Sequence, residues 1–182
     1  MRLEPLFLRM PRGLMSRARL LAYRIFGMKQ GVSNRMEGGG RVRRCSQVQI
    51  GSSNAFTQGA WLWPNDVDFD GIRIRVGSRN YFNRNLMIDA GGLVEIGDDN
   101  MFGPDVYLTD SNHRFGSGVI PALQSMETGV IKVGNRCWIG AGAIILKDVE
   151  LGDGCVVAAA EFGPVPAQAV RCLLYTSPSP RD

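Results

Sequence analysis

Val133-Gly-Asn-Arg-Cys-Trp-Ile139-Gly-Ala-Gly-Ala-Ile-Ile145-Leu-Lys-Asp-Val-Glu-Leu151-Gly-Asp-Gly-Cys-Val-Val157 decides the fold, because its aliphatic residues return every six positions. Working back along the chain, the period starts near Ile50 and runs through Val76, Phe82, Ile88 and Val94. After a two-residue slip it continues at Ile96, Phe102 and Leu108. A six-residue period fits neither a helix, at about 3.6 residues per turn, nor a strand, which alternates about every 2. It fits a solenoid of triangular coils, each built from three hexads, with every aliphatic pointing inward onto its counterpart one coil away.

The 182 residues have the composition of one globular domain enriched in Gly, as coils with tight corners require. The net charge of +4 is unevenly placed. Residues 1–44 hold 11 Lys/Arg against Glu4 and Glu37, a local charge of +9, whereas the remainder carries −5. The basic character therefore belongs to the N-terminal segment, and nothing in the solenoid points to nucleic acid. Cys45, Cys137 and Cys155 match no zinc spacing and read as small buried residues in a reducing cytoplasm. No stretch has the core of a signal peptide or the roughly 18 apolar residues of a membrane span.

Residues 11–26 read as a helix, with Leu14, Met15, Ala18, Leu21, Ala22, Ile25 and Phe26 on one stripe, Pro11 in the first turn and Gly27 as the stop. Two roles fit it: a cap that seals the open end of the solenoid, and a basic amphipathic helix resting on an anionic membrane. The two roles are compatible. The expected division is a basic segment with the capping helix at 1–44, the solenoid at 45–171 and an interrupting loop at 114–130.

The hexads in Ile96-Gly-Asp-Asp-Asn-Met-Phe102 and in the two runs from Val133 and Leu151 resemble those of the hexapeptide-repeat acyltransferases, over roughly residues 45–160. The resemblance implies an all-β solenoid, a left-handed parallel β-helix, and is closest to bacterial O-acetyltransferases of sugars and polysaccharide precursors. It implies acetyl-CoA as acyl donor, no metal, a homotrimer with the active site between subunits, and a cytoplasmic protein that can work at the inner face of the membrane. Residues 172–182, beginning Cys172-Leu-Leu-Tyr-Thr-Ser, resemble a translated sequencing adapter.

The same likeness selects site residues. His113, the only histidine, ends Leu108-Thr-Asp-Ser-Asn-His just before the loop and matches the family's catalytic histidine. A neutral imidazole can take the proton of an alcohol as it attacks a thioester, which an alcohol at neutral pH cannot do unaided. Asp110 can orient the other ring nitrogen or can be a solvated corner residue. Asn85 matches an asparagine near the acceptor, with Asn83 two positions away as a competing match and a coil corner as the structural alternative. Trp138 matches a tryptophan beside the coenzyme arm, and Gly140, Ala141 and Gly142 would leave backbone uncovered for an extended pantetheine. Ala159 falls at the same arm, in Ala158-Ala-Ala-Glu-Phe-Gly-Pro, where relatives carry Gly-Ala-Gly-Ser followed by Thr-Lys; the expected basic residue is missing. Trp61-Leu-Trp-Pro offers aromatic faces for packing, trimer contacts or a sugar ring. Transfer to an amine or a xenobiotic and a non-catalytic scaffold are the other functions such a chain can serve. The zinc carbonic anhydrases that share the coil need three histidines and are excluded by one.

Overall fold

A computed structural model describes residues 4–65, 71–114, 120–159 and 174–175. Helix α1 (Glu4–Ile25) leads into a stack of triangular coils whose three faces are parallel sheets. The first face stacks Lys29–Gln30, Val48–Ile50, Ile74–Val76, Leu93–Ile96, Val130–Val133 and Glu150–Leu151. The second stacks Arg35–Met36, Ala55–Phe56, Tyr81–Phe82, Met101–Phe102, Trp138–Ile139 and Val156–Val157. The third stacks Arg41–Val42, Trp61–Pro64, Met87–Ala90, Tyr107–Thr109 and Ile144–Ile145. Leu174–Tyr175 pairs antiparallel with Val156–Val157; the rest of the adapter-like stretch lies outside the described residues.

The hexad positions fill the interior. Ile50, Val76, Ile96, Val133 and Leu151 align on the first face, and Leu62, Ile88, Leu108 and Ile145 on the third, all buried. On the second face Phe56, Phe82 and Phe102 stack with ring centroids 4.5 and 4.8 Å apart, each such pair adding roughly 1 kcal/mol to the burial of its rings. The two-residue slip also has a place. The strands Met87–Ala90 and Leu93–Ile96 are four residues long, so Ala90 beside Ile88 and Val94 beside Ile96 also turn inward. Val94 then pairs with Ile74 and Ile96 with Val76.

Polar ladders hold the corners in register. Asn34, Asn54, Asn80 and Asn100 are buried one above another, and the Oδ1 of each accepts the backbone N–H of the next, at 2.8–2.9 Å. Asn100 hands the ladder to Cys137, whose N–H it accepts at 2.7 Å and whose thiol lies 3.2 Å from the Gly152 carbonyl. Burial pushes the Cys45 and Cys137 thiols upward, so both stay protonated and inert. Two columns of left-handed residues turn the chain: Ser33, Ser53, Arg79, Asp99, Arg136 and Gly154 between the first and second faces, and Gly39, Gly59, Asn85, Asp105 and Gly142 between the second and third.

Two sequence expectations change at the N-terminal end. The stack starts at Lys29, not at residue 45, because its first coil fills the hexad positions with Gln30, Met36 and Val42, too weak a pattern to stand out. Helix α1 also starts at Glu4, with Pro5 rather than Pro11 in the first turn. Its end is as read: Gly27, at φ 100°, closes the helix, with the Met28 N–H on the Tyr23 carbonyl and the Gly27 N–H on that of Arg24.

The helix packs on the first coil with the face opposite to its apolar stripe. Ser16, Arg19, Leu20 and Tyr23 meet the first coil. Ser16 Oγ accepts the Met36 N–H at 2.8 Å, Arg19 donates to the carbonyls of Met36 and Glu37, and the Tyr23 hydroxyl donates to that of Gly40. Gln30 completes the seam through the Leu20 carbonyl. The reason is the nature of a solenoid's end, which exposes a row of unpaired backbone groups as well as apolar side chains.

Candidate active site

Thr109 ends the last long strand of the third face, and Asp110 turns the chain out of the stack. Both carboxylate oxygens of this fully buried residue accept backbone N–H groups from the preceding coil, Gly91 at 2.6 Å and Gly92 at 2.9 Å. Asp110 also lends its own carbonyl to the Gly129 N–H, where the excursion rejoins the coil. It therefore ties both ends of the excursion to the stack, a different task from the two considered for it. Burial raises its pKa, the two glycine N–H groups opposing the rise.

Beyond Asp110, Ser111–His113 pairs antiparallel with Met126–Thr128. His113 lies on this hairpin, exposed, opposite Met126. Arg114 and Glu127 close beside it in an exposed ion pair of 3.5 Å. Residues 115–119, in the first half of the expected loop, lie outside the described residues.

The third face supplies the surface leading to this hairpin. Trp61, Met87, Tyr107 and Ile144 form one outward column, and Trp63, Asp89 and Thr109 the next. Arg41 lies over Trp61 and Arg43 over Trp63, each 4.9 Å from the ring. Tyr107 Oη lies 3.4 Å from Asp89 Oδ2. Burial holds the Asp89 carboxyl above the usual carboxylate range against hydrogen bonds from Tyr107 and Asn65. Asp89 and Tyr107 were not singled out in the sequence. Their shared feature, an outward position one coil apart on the face that ends at His113, emerges only once coil lengths are known.

The remaining sequence candidates scatter. Asn85 sits in the left-handed corner column at φ 58°, exposed, and donates to Asp105 Oδ1 at 2.8 Å. Asn83 Oδ1 accepts the neighbouring Arg84 N–H at 2.8 Å. Trp138 points out of the second face, 56% exposed, in one column with Tyr81 and Met101. Gly140 is buried rather than uncovered: its N–H donates to the Val157 carbonyl, and a Cβ there would stand 2.4 Å from the Ala159 nitrogen. Gly142 is buried too, its N–H held by the Pro104 carbonyl. The next coil covers this backbone, leaving Ala141 half-buried and Ala159 exposed. Among the described residues, no group of three His, Cys, Asp or Glu gathers as a metal site would require.

The sequence model of the family described as "Bacterial transferase hexapeptide (six repeats)" matches residues 131–159. Those residues carry hexads of the kind that family repeats. It is 31% identical over 102 residues to the galactoside O-acetyltransferase of Escherichia coli (strain K12), covering 56% of this chain and 50% of that protein. It is 36% identical over 80 residues to nodulation protein L of Rhizobium leguminosarum bv. viciae, covering 43% and 41%. The chain thus spans about half the length of these relatives or less. Among solved structures, a variant of AntD, an N-acyltransferase from Bacillus cereus in complex with dTDP and coenzyme A, gives a TM-score of 0.63 at 16% identity, over 76% of this chain and 74% of that one. That likeness is one of fold, the parallel β-helix.

His113 and Trp138 belong to different sides of the coil stack. The hairpin carrying His113 departs between the third and first faces, the corner opposite the second face, from which Trp138 projects.

Proposed function

We propose that the protein is an O-acetyltransferase that moves the acetyl group of acetyl-CoA to a hydroxyl of a sugar or polysaccharide precursor, with His113 as general base. The observation that carries this reading is the exposed placement of the chain's one histidine, on a hairpin that leaves the stack beside an aromatic and acidic face. The relatives named for galactoside acetylation favour a sugar acceptor. Trp63, Tyr107 and Asp89 on the third face suit one, because a sugar offers an apolar ring face to aromatics and hydroxyls to a carboxylate.

In the reaction, His113 takes the acceptor's hydroxyl proton as the oxygen attacks the thioester carbonyl. The tetrahedral intermediate collapses by breaking the C–S bond, and the imidazolium returns the proton to the leaving thiolate. Asn85 would help fix the acceptor, Asp110 would hold the hairpin in place, and Trp138 with Ala141 and Ala159 would flank the pantetheine. Since His113 and Trp138 diverge in one protomer, the site would form between neighbours in a homotrimer. A cytoplasmic setting suits the free cysteines.

The test is release of free CoA thiol with a panel of galactosides and other sugars. His113→Ala should cut turnover by roughly 100-fold or more while leaving acetyl-CoA binding and the oligomer intact. Turnover that survives the substitution removes His113 from the chemistry. Transfer to amines alone would move the acceptor class, and absence of both binding and turnover would leave a scaffold.

A further inference from the structure

Among the described residues, the face of α1 that points away from the stack has no partner. Leu14, Ala18, Leu21 and Ile25 stand at i, i+4, i+7 and i+11, about half a turn around the helix axis from Ser16, Leu20 and Tyr23, which meet the first coil. Leu14 is 71% exposed, Leu21 59% and Ile25 74%, and Phe26 continues the surface. Apolar stripes of this length are rarely left to water. On one flank, Arg17 and Arg24 lie exposed between the two faces. Arg17 also lines a cleft of about 660 Å³ between helix and first coil, together with Arg35, Ser33, Asn34 and Glu37.

We infer that this stripe docks on an anionic lipid surface, its leucines and Ile25 entering the acyl boundary while Arg17, Arg24 and Arg35 meet lipid phosphates. Charge selects this occupant. The helix belongs to a segment carrying +9, which would repel a second copy packed stripe to stripe but is drawn to a negative leaflet. No described helix is long and apolar enough to cross a membrane; the contact inferred for α1 is a peripheral one, with the coil stack standing on the bilayer by its helical end. The inference is independent of the chemistry at His113, because lipid binding and acetyl transfer are read separately.

The experiment is co-sedimentation of the full chain with vesicles of phosphatidylcholine, with and without phosphatidylglycerol. Binding is expected only with phosphatidylglycerol, and it should fall as ionic strength rises from about 0.1 M to about 1 M, shrinking the Debye length from about 10 Å to about 3 Å. The double variant Leu21→Glu/Ile25→Glu should weaken binding about tenfold or more, and Arg17→Glu/Arg24→Glu similarly. All four side chains are exposed, so melting by circular dichroism should stay near that of the parent. The inference is overturned if anionic vesicles sediment no protein, or if neither variant changes binding. It is equally overturned if the stripe variant dissolves an oligomer, seen by analytical ultracentrifugation, without any vesicle binding, which would make the stripe a contact between copies.

Discussion

The coil stack and the helix beneath it both carry a regular apolar stripe, yet they use it in opposite directions. In the stack the stripe is the interior: Phe56, Phe82 and Phe102 are wholly buried and stacked. In α1 the stripe faces outward, and the packed side is the one holding Ser16, Arg19 and Tyr23. The difference teaches that periodicity tells which residues share a face, and that the surface being met decides which face is used. A coil meets another coil whose backbone is already paired, so only side chains remain to be matched. The cap meets unpaired N–H and C=O groups, so hydrogen-bonding side chains win the position.

The largest effect should come from breaking the buried stripe. Phe82→Ala removes the middle ring of the stack and should cost about 3–5 kcal/mol, read by denaturant unfolding. Leu21→Ser on the outward stripe of α1 should stay within about 0.5 kcal/mol. A comparable loss at Leu21 would mean that the helix buries its stripe against the fold after all.

The hexads made the interior legible because three faces with one side-chain position each map directly onto a six-residue repeat. What stayed hidden depends on how coils of unequal length superimpose. Asp110 offered no sign that its partners are Gly91 and Gly92, since that pairing needs the coil to be extended by the four-residue strands before them. Gly140 looked like open backbone because the covering residues, Ala158 and Ala159, lie one coil later. Asn85 was legible both as a corner and as a ligand, and its left-handed φ and bond to Asp105 make the corner real while leaving its part in chemistry to experiment. His113 stands out as a single histidine at a break in the register, and it lies exposed on the hairpin that leaves the stack there.

An intermediate effect should follow from removing the polar cap. Ser16→Ala leaves the Met36 N–H without its acceptor in a buried position, at a cost of about 1–3 kcal/mol, and Arg19→Met leaves two carbonyls to water. If the cap is built on these bonds, hydrogen exchange at Met36 should accelerate while amides of the Phe82 coil stay protected. Equal acceleration in both regions would show the stack unfolding as one unit, and the distinction between end and interior would lose its energetic meaning.

The smallest effect separates the two kinds of buried polar group. The asparagine ladder is neutral, whereas Asp110 brings a titrating carboxyl into the interior, where burial raises its pKa despite the glycine N–H groups. A carboxyl whose folded pKa lies above its unfolded value, near 3.8, contributes most when protonated. That contribution is present below the unfolded pKa and is lost as pH rises through the folded one. Asp110→Asn does not titrate and leaves one glycine N–H facing an amide NH₂, so it should be less stable than the parent by a gap that is widest in acid. The gap should narrow with rising pH when melting temperatures are compared across that window. A gap that widens instead would mean that the two N–H bonds outweigh burial, and that Asp110 serves the corner best as an anion, as a helix N-cap aspartate does.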